Sequence, residues 1–178
     1  VGGAEITVGG RAILGEAAVS EETAGQIELE SQKGKTIIYV VKDGQVWGVL
    51  ALADLIRNES RQAVAELKKN GVKVGMITGD SRDVADWVAR ELGIDFYEAN
   101  VLPGEKAEMV RKMQNHNINK RVAFVGDGIN DAPALTQADL GIAIGAGTNV
   151  AIESAGIILV RNDPRDIVKI IKLSRLTY

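Results

Sequence analysis

Asp127 and Asp131 stand four positions apart in the string Val125-Gly-Asp-Gly-Ile-Asn-Asp-Ala-Pro-Ala-Leu135, with Asn130 beside the second carboxylate. Two carboxylates and an amide are hard oxygen donors, which suit Mg²⁺ held together with a phosphate. The string follows an apolar run, Arg121-Val-Ala-Phe-Val125, that reads as a strand. Asp127 then sits at the carboxyl end of that strand. Gly126 and Gly128 let the backbone turn sharply and approach a ligand closely. In open α/β sheets, ligands bind outside the carboxyl ends of the strands. An acidic turn that caps a helix uses the same residue types, so the neighbouring segments must decide between the two readings.

Upstream, Lys73-Val-Gly-Met-Ile-Thr-Gly-Asp80 is again an apolar run that ends in a turn. Thr78 offers a hydroxyl and Gly79 an unhindered backbone N–H, both suited to a phosphate oxygen. Between the two loops lies Leu102-Pro-Gly-Glu-Lys106, where the lysine can act as a point charge against phosphate. A hydroxyl, an ammonium and a carboxylate cluster are the equipment of phosphoryl transfer, in which positioning and charge neutralisation do most of the work.

At these residues the chain resembles the P-type ATPases. Thr78-Gly79-Asp80 and Gly126-Asp-Gly-Ile-Asn-Asp-Ala-Pro-Ala-Leu135 are similar to that family's signatures, and the second string is long and specific. The continuation from Ala138 to Ser154 is similar to the heavy-metal-transporting branch, the copper pumps above all. The resemblance runs from about Gly34 to the C-terminus. It implies the cytoplasmic, catalytic part of an ATP-driven, membrane-embedded cation pump that works through an aspartyl-phosphate. It also implies a haloacid-dehalogenase-like phosphorylation domain. Carried over by position, Thr78 and Gly79 hold the transferred phosphoryl group, Lys106 neutralises its charge, and Asp80 stands with them among the implied catalytic residues. Asp127 ligates Mg²⁺, and Asn130 and Asp131 complete the phosphate and metal shell. Asp54-Leu-Ile-Arg57 resembles the Asp-x-x-Arg hinge between nucleotide-binding and phosphorylation domains. Asp54, Arg57 and Gly128 are the residues it implies for holding ATP. The transported heavy-metal ion is then bound elsewhere in the parent protein.

Two motifs of the family are missing. The nucleophile belongs to an Asp-Lys-Thr-Gly-Thr string, absent here, and the adenine-holding Ser-Glu-His-Pro string is absent too. Asp54 ends the apolar run Val49-Leu-Ala-Leu-Ala53, but Leu55, Ile56 and Arg57 follow where Lys, Thr and Gly are wanted. It reads poorly as a substitute nucleophile. The single histidine, His116, lies in the polar stretch Gln114-Asn-His-Asn117 and reads as an exposed loop residue. Gly34-Lys35-Thr36 lacks the earlier glycine of a P-loop.

With 178 residues, 46% hydrophobic and 25% charged, the chain has the composition of a soluble globular protein. A net charge of −3 and only 4% aromatic residues give no footprint for nucleic acid. The absence of cysteine excludes disulfides and thiolate metal ligation within these residues. No segment reaches the ~20 apolar residues of a membrane helix, and no signal peptide is visible.

Strand and helix signals alternate over the C-terminal two-thirds. Strands are expected at 72–78, 95–97, 122–125, 141–144 and 157–160. Helices are expected at 60–69, 84–92, 105–114, 132–137, 150–154 and 165–173. Such alternation argues for an α/β domain, a Rossmann-type parallel sheet with helices on both faces. The N-terminal portion reads as mainly β, with strands at 4–8 and 12–14, a weak acidic helix over 17–29, and a hairpin turning at Asp43-Gly44. The expected division is 1–46, the distal part of a nucleotide-binding domain, and 47–178, the phosphorylation domain. The resemblance adds that the nucleophile's strand lies between those at 74–78 and 122–125, so without it those two strands lose a shared neighbour. A free-standing haloacid-dehalogenase-type phosphatase, and a non-catalytic phosphate- or nucleotide-binding α/β module, are the alternatives. The first lacks the same nucleophile. The second would gather its acidic residues near one phosphorylatable Asp after the first strand, which the order of loops here does not do.

Overall fold

The computed structural model describes residues 5–15, 17–53, 55–116, 121–127, 129–145 and 153–177. The first strands form an antiparallel sheet in the order β1-β2-β3, with β1 at Ile6–Gly9, β2 at Thr36–Lys42 and β3 at Gln45–Leu52. Asp43 and Gly44 join β2 to β3 with φ of 47° and 78°. Two successive positive φ values match the right-handed twist of a hairpin, which is why Asp-Gly serves there. Helix α1, Glu21–Gln32, starts at Ser20, whose hydroxyl accepts from the Thr23 amide.

The expected strand at 12–14 does not form. Arg11–Leu14 is a single 3-10 turn, closed by the Ile13 amide on the Gly10 carbonyl at 3.1 Å. Ile13 packs back on the sheet, since a Cβ on Gly9 would meet Ile13 Cγ2 at 2.9 Å. A three-residue apolar run after Gly-Gly does not distinguish the two outcomes.

Register puts Ile6 opposite Lys42, Val8 opposite Val40, Ile38 opposite Leu50 and Thr36 opposite Leu52. Residues directly opposite share a face, and on this face Ile6, Val8, Leu50 and Leu52 are exposed. The register shifts between Val40 and Val41, leaving Trp47 without a partner on β2. Its ring is 69% exposed and lies 4.5 Å from the Lys42 ammonium. Tyr39 and Val41, on the other face, are buried. β3 runs through residues 46 and 47, and the sheet ends at Leu52.

Beyond Leu52 the chain alternates: α2 (Asn58–Lys69), β4 (Gly75–Ile77), α3 (Arg82–Leu92), β5 (Phe96–Glu98), α4 (Lys106–His116), β6 (Ala123–Gly126), α5 (Ala132–Gln137), β7 (Leu140–Ile144), β8 (Ile157–Leu159) and α6 (Arg165–Thr177). Most of the helix expected at 150–154 lies outside the described residues. The strands are parallel, as the pattern predicts, but in two pieces: β4 with β5, and β6-β7-β8. Among the described residues no ladder joins β4 to β6. This is the place where the family resemblance puts one further strand.

β7 is the buried centre: Ile142 and Ala143, on its opposite faces, are both buried, and α5, whose Leu135 is 1% exposed, packs against this strand. A Cβ on Gly141 would meet the Leu135 carbonyl oxygen at 2.4 Å, so helix and strand backbones lie almost in contact. α6 packs on α2, pairing Lys172 with Glu66 and Arg175 with the Asn70 carbonyl.

The antiparallel sheet meets the rest of the chain where α1 touches α3. Ser31 donates to Asp83 at 2.9 Å, and the indole of Trp87 covers Gly34. Gly34 has φ of +75°, and a Cβ there would lie 2.4 Å from the ring. Gly34→Ala is therefore expected to destabilise the chain by about 1–3 kcal/mol, from left-handed strain plus overpacking. Urea unfolding followed by Trp fluorescence measures it.

Candidate functional site

Thr78 follows β4 directly. Its amide donates to the Glu98 carbonyl at 2.9 Å, and its carbonyl accepts from the Val101 amide at 3.0 Å. The Asn100 amide donates to the Asp80 carbonyl at 2.9 Å. The turn 78–80 is thus clamped by the segment after β5. Asn100 makes this clamp with φ of 55°, a left-handed geometry that Asn tolerates better than most residues. Within the turn, the Thr78 hydroxyl donates to Asp80 Oδ2 at 2.6 Å and accepts from the Asp80 amide at 3.1 Å. Gly79 and Asp80 are exposed. Ser81 then caps α3.

The clamping segment leads on to the lysine. Val101 is buried, and Pro103–Glu105 form a 3-10 turn in which the Glu105 carboxylate accepts from the Leu102 amide at 3.0 Å. Lys106 opens α4. Its ammonium lies 2.7 Å from Asp131 Oδ1, and the two side chains are 19% and 10% exposed.

Gly126 ends β6 in a buried position. A Cβ there would lie 2.6 Å from the Cβ of Asp131, so only glycine admits that carboxylate. The other oxygen of Asp131 accepts from the Asp127 amide at 3.4 Å. Ile129–Asp131 form a 3-10 turn, and Pro133 lies in the first turn of α5. Asp127 and Asn130 are exposed.

Of the sequence-derived site residues, Lys106, Asp127 and Asp131 are thus in one cluster. Thr78, Gly79 and Asp80 are tied to it through residues 98–106. Arg57 precedes α2, and its guanidinium reaches Asn162 Oδ1 at 3.4 Å. Asn162 also lies against Gly145, just past the carboxyl end of β7. Because β6, β7 and β8 are parallel, this is the same rim of the sheet that carries Asp127. Asp54 and Gly128 lie outside the described residues. Asn100, Glu105 and Asn162 are positioning residues that motif reading overlooks. Asn100 carried one usable signal, as a residue type enriched at positive φ.

Asp127, Asp131 and Asn130 offer hard oxygens on one turn. No group of three or more His, Cys, Asp or Glu suited to a metal occurs among the described residues. That donor set fits Mg²⁺, which keeps several waters and bridges to phosphate rather than filling an all-protein cage.

Parallel strands with a hydroxyl, an ammonium and paired carboxylates on the loops around their carboxyl ends make an α/β domain whose donor types suit phosphate. The chain belongs to the haloacid dehalogenase-like hydrolase family, whose model matches residues 3–139. It is 58% identical over 157 residues to the copper-exporting P-type ATPase B of Archaeoglobus fulgidus, covering 88% of this chain and 22% of that protein. It is 45% identical over 177 residues to the copper-exporting P-type ATPase of Bacillus subtilis, covering 99% and 22%. Among solved structures, a zinc-transporting PIB-type ATPase in its E2.Pi state matches with a TM-score of 0.76 and 38% identity, covering 99% of this chain and 28% of that one. The chain therefore spans about a fifth of the length of the curated relatives it matches. No helix among the described residues is long and apolar enough to cross a membrane.

The two carboxylates differ in what surrounds them. Asp131→Ala removes the partner of a largely buried ammonium and is expected to cost about 2 kcal/mol or more. Asp127→Ala, at an exposed position, is expected to stay within about 0.5 kcal/mol of the parent chain. Paired urea unfolding curves compare them.

Proposed function

We propose that this chain is the phosphate- and Mg²⁺-handling part of the cytoplasmic ATPase machinery of a heavy-metal pump, with copper the favoured cargo. The observation that carries this reading is the Lys106–Asp131 pair set against Asp127, on a rim reached from the clamped Thr78 turn. The 58% identity to a copper-exporting pump supports the choice of cargo. The cargo itself would bind in a membrane part of the parent protein.

In this reading Thr78 Oγ1 and the Gly79 amide hold phosphoryl oxygens, Lys106 neutralises their charge and Asp80 sets the direction of the Thr78 hydroxyl. Asp127 and Asp131, with Asn130, hold Mg²⁺, which when bound screens the phosphate's negative charge. Arg57, with Asp54 and Gly128, serves ATP. Residues 1–46 would belong to the nucleotide-binding domain and 47–178 to the phosphorylation domain, joined along β3. The bond-forming carboxylate is supplied by a strand expected between β4 and β6. Covalent catalysis needs that group within bonding distance of phosphorus.

Asp127→Asn should abolish Mg²⁺-dependent binding of inorganic phosphate while leaving the circular dichroism spectrum unchanged. Calorimetry that returns the parent Mg²⁺ affinity for this variant would refute the metal assignment. The chain by itself should not take up label from γ-labelled ATP in the presence of Mg²⁺. Acid-stable, hydroxylamine-sensitive label on this chain would mean that it holds its own nucleophile, with Asp54 the first residue to replace.

A further inference from the structure

Lys106 and a divalent cation have claims on the same oxygen. Asp131 is 7% exposed, and its Oδ1 lies 2.7 Å from the Lys106 ammonium. An ionised carboxylate that deep needs a counter-charge. The lysine, for its part, opens α4, where the positive end of the helix dipole disfavours a cation unless an anion is near. Asp131 meets both demands. The same pairing engages the ammonium within the chain itself. The Thr78 hydroxyl is engaged in the same way, donating to Asp80 at 2.6 Å. Both phosphate-directed donors are thus held by carboxylates of the chain itself.

We propose that Lys106 is a resident counter-cation on Asp131, that a divalent cation displaces it, and that the freed ammonium then takes the phosphate. The two ligands bind in that order and help each other. Without the divalent cation, phosphate meets an engaged lysine and the unscreened charge of Asp127. With it, Asp127 and Asp131 are neutralised and Lys106 has no anion left but phosphate. This inference rests on the Mg²⁺ and phosphate roles proposed above.

The test is calorimetric titration of the chain with Mg²⁺, with and without inorganic phosphate. It compares the parent with Lys106→Met, Lys106→Arg and Lys112→Met, the last removing the same charge from an exposed position on the same helix. Without phosphate, Lys106→Met should bind Mg²⁺ roughly tenfold more tightly, a factor equal to about 1.4 kcal/mol. Lys106→Arg should stay near the parent value, and Lys112→Met should change little. Saturating Mg²⁺ should tighten phosphate binding to the parent by roughly tenfold or more, and Lys106→Met should lose most of that gain. Should Lys106→Met fail to fold, the parent chain labelled with ¹⁵N-lysine gives the answer. Its Lys106 Nζ resonance should shift when Mg²⁺ is added without phosphate.

Unchanged or weaker Mg²⁺ binding by Lys106→Met would overturn the displacement. So would an equal gain in Lys112→Met, or an unmoved Nζ resonance at saturating Mg²⁺. If Mg²⁺ and phosphate both bind the parent but neither affects the other, the displacement alone falls. If neither binds, the proposed function falls with it.

Discussion

A carboxylate lodged against the end of a strand must be answered by a positive charge, and most of the site's geometry follows from that requirement. Asp131 reaches its place only because Gly126 has no side chain. Once there, it holds Lys106, the first residue of α4. The chain just before α4 is the segment that clamps Thr78. The pair therefore ties β6 to the end of β4, although no ladder joins those strands among the described residues. What backbone hydrogen bonds do within each sheet piece, one charge pair does between them.

Much of this was legible in the sequence because its signals are local. The alternation of apolar runs and helical spacing located every strand from β4 to β8, and the Asp43-Gly44 turn was visible as a dipeptide. The loops bearing Thr78, Lys106 and Asp127 were recognisable because residue types with phosphate chemistry follow strand-like runs. Three features were not legible, each decided by a partner distant in the chain or by packing. Ala12-Ile-Leu14 turned into a 3-10 turn because Ile13 packs against Gly9. The engagement of Thr78 by Asp80 depends on rotamers that spacing does not set. The link from Arg57 to the strand rim runs through Asn162, 105 residues away.

The antiparallel sheet and the parallel part are joined by different means. Within each, apolar burial dominates, as at Tyr39 and Val41 in one and Ile142 and Leu135 in the other. Between them, among the described residues, lie a hydrogen bond from Ser31 to Asp83 and an indole laid on a glycine. Flat aromatic contact on bare backbone gives a seam with little interlocking. Such a seam resists separation less than a core does.

The pairing of the strands is itself uneven. Among the described residues, β7 has a hydrogen-bonded neighbour on each side, whereas β4 and β6 have one each. Amide protons along β7 are therefore released to solvent only by large-scale opening. Those on the edges of β4 and β6 that no ladder covers among the described residues are expected to need less opening. The best-protected strand of the parallel part is therefore expected one strand away from the carboxylates, with less protected backbone beside them. The doubly paired strand thus stands behind the site, and singly paired strands form the site's own edge.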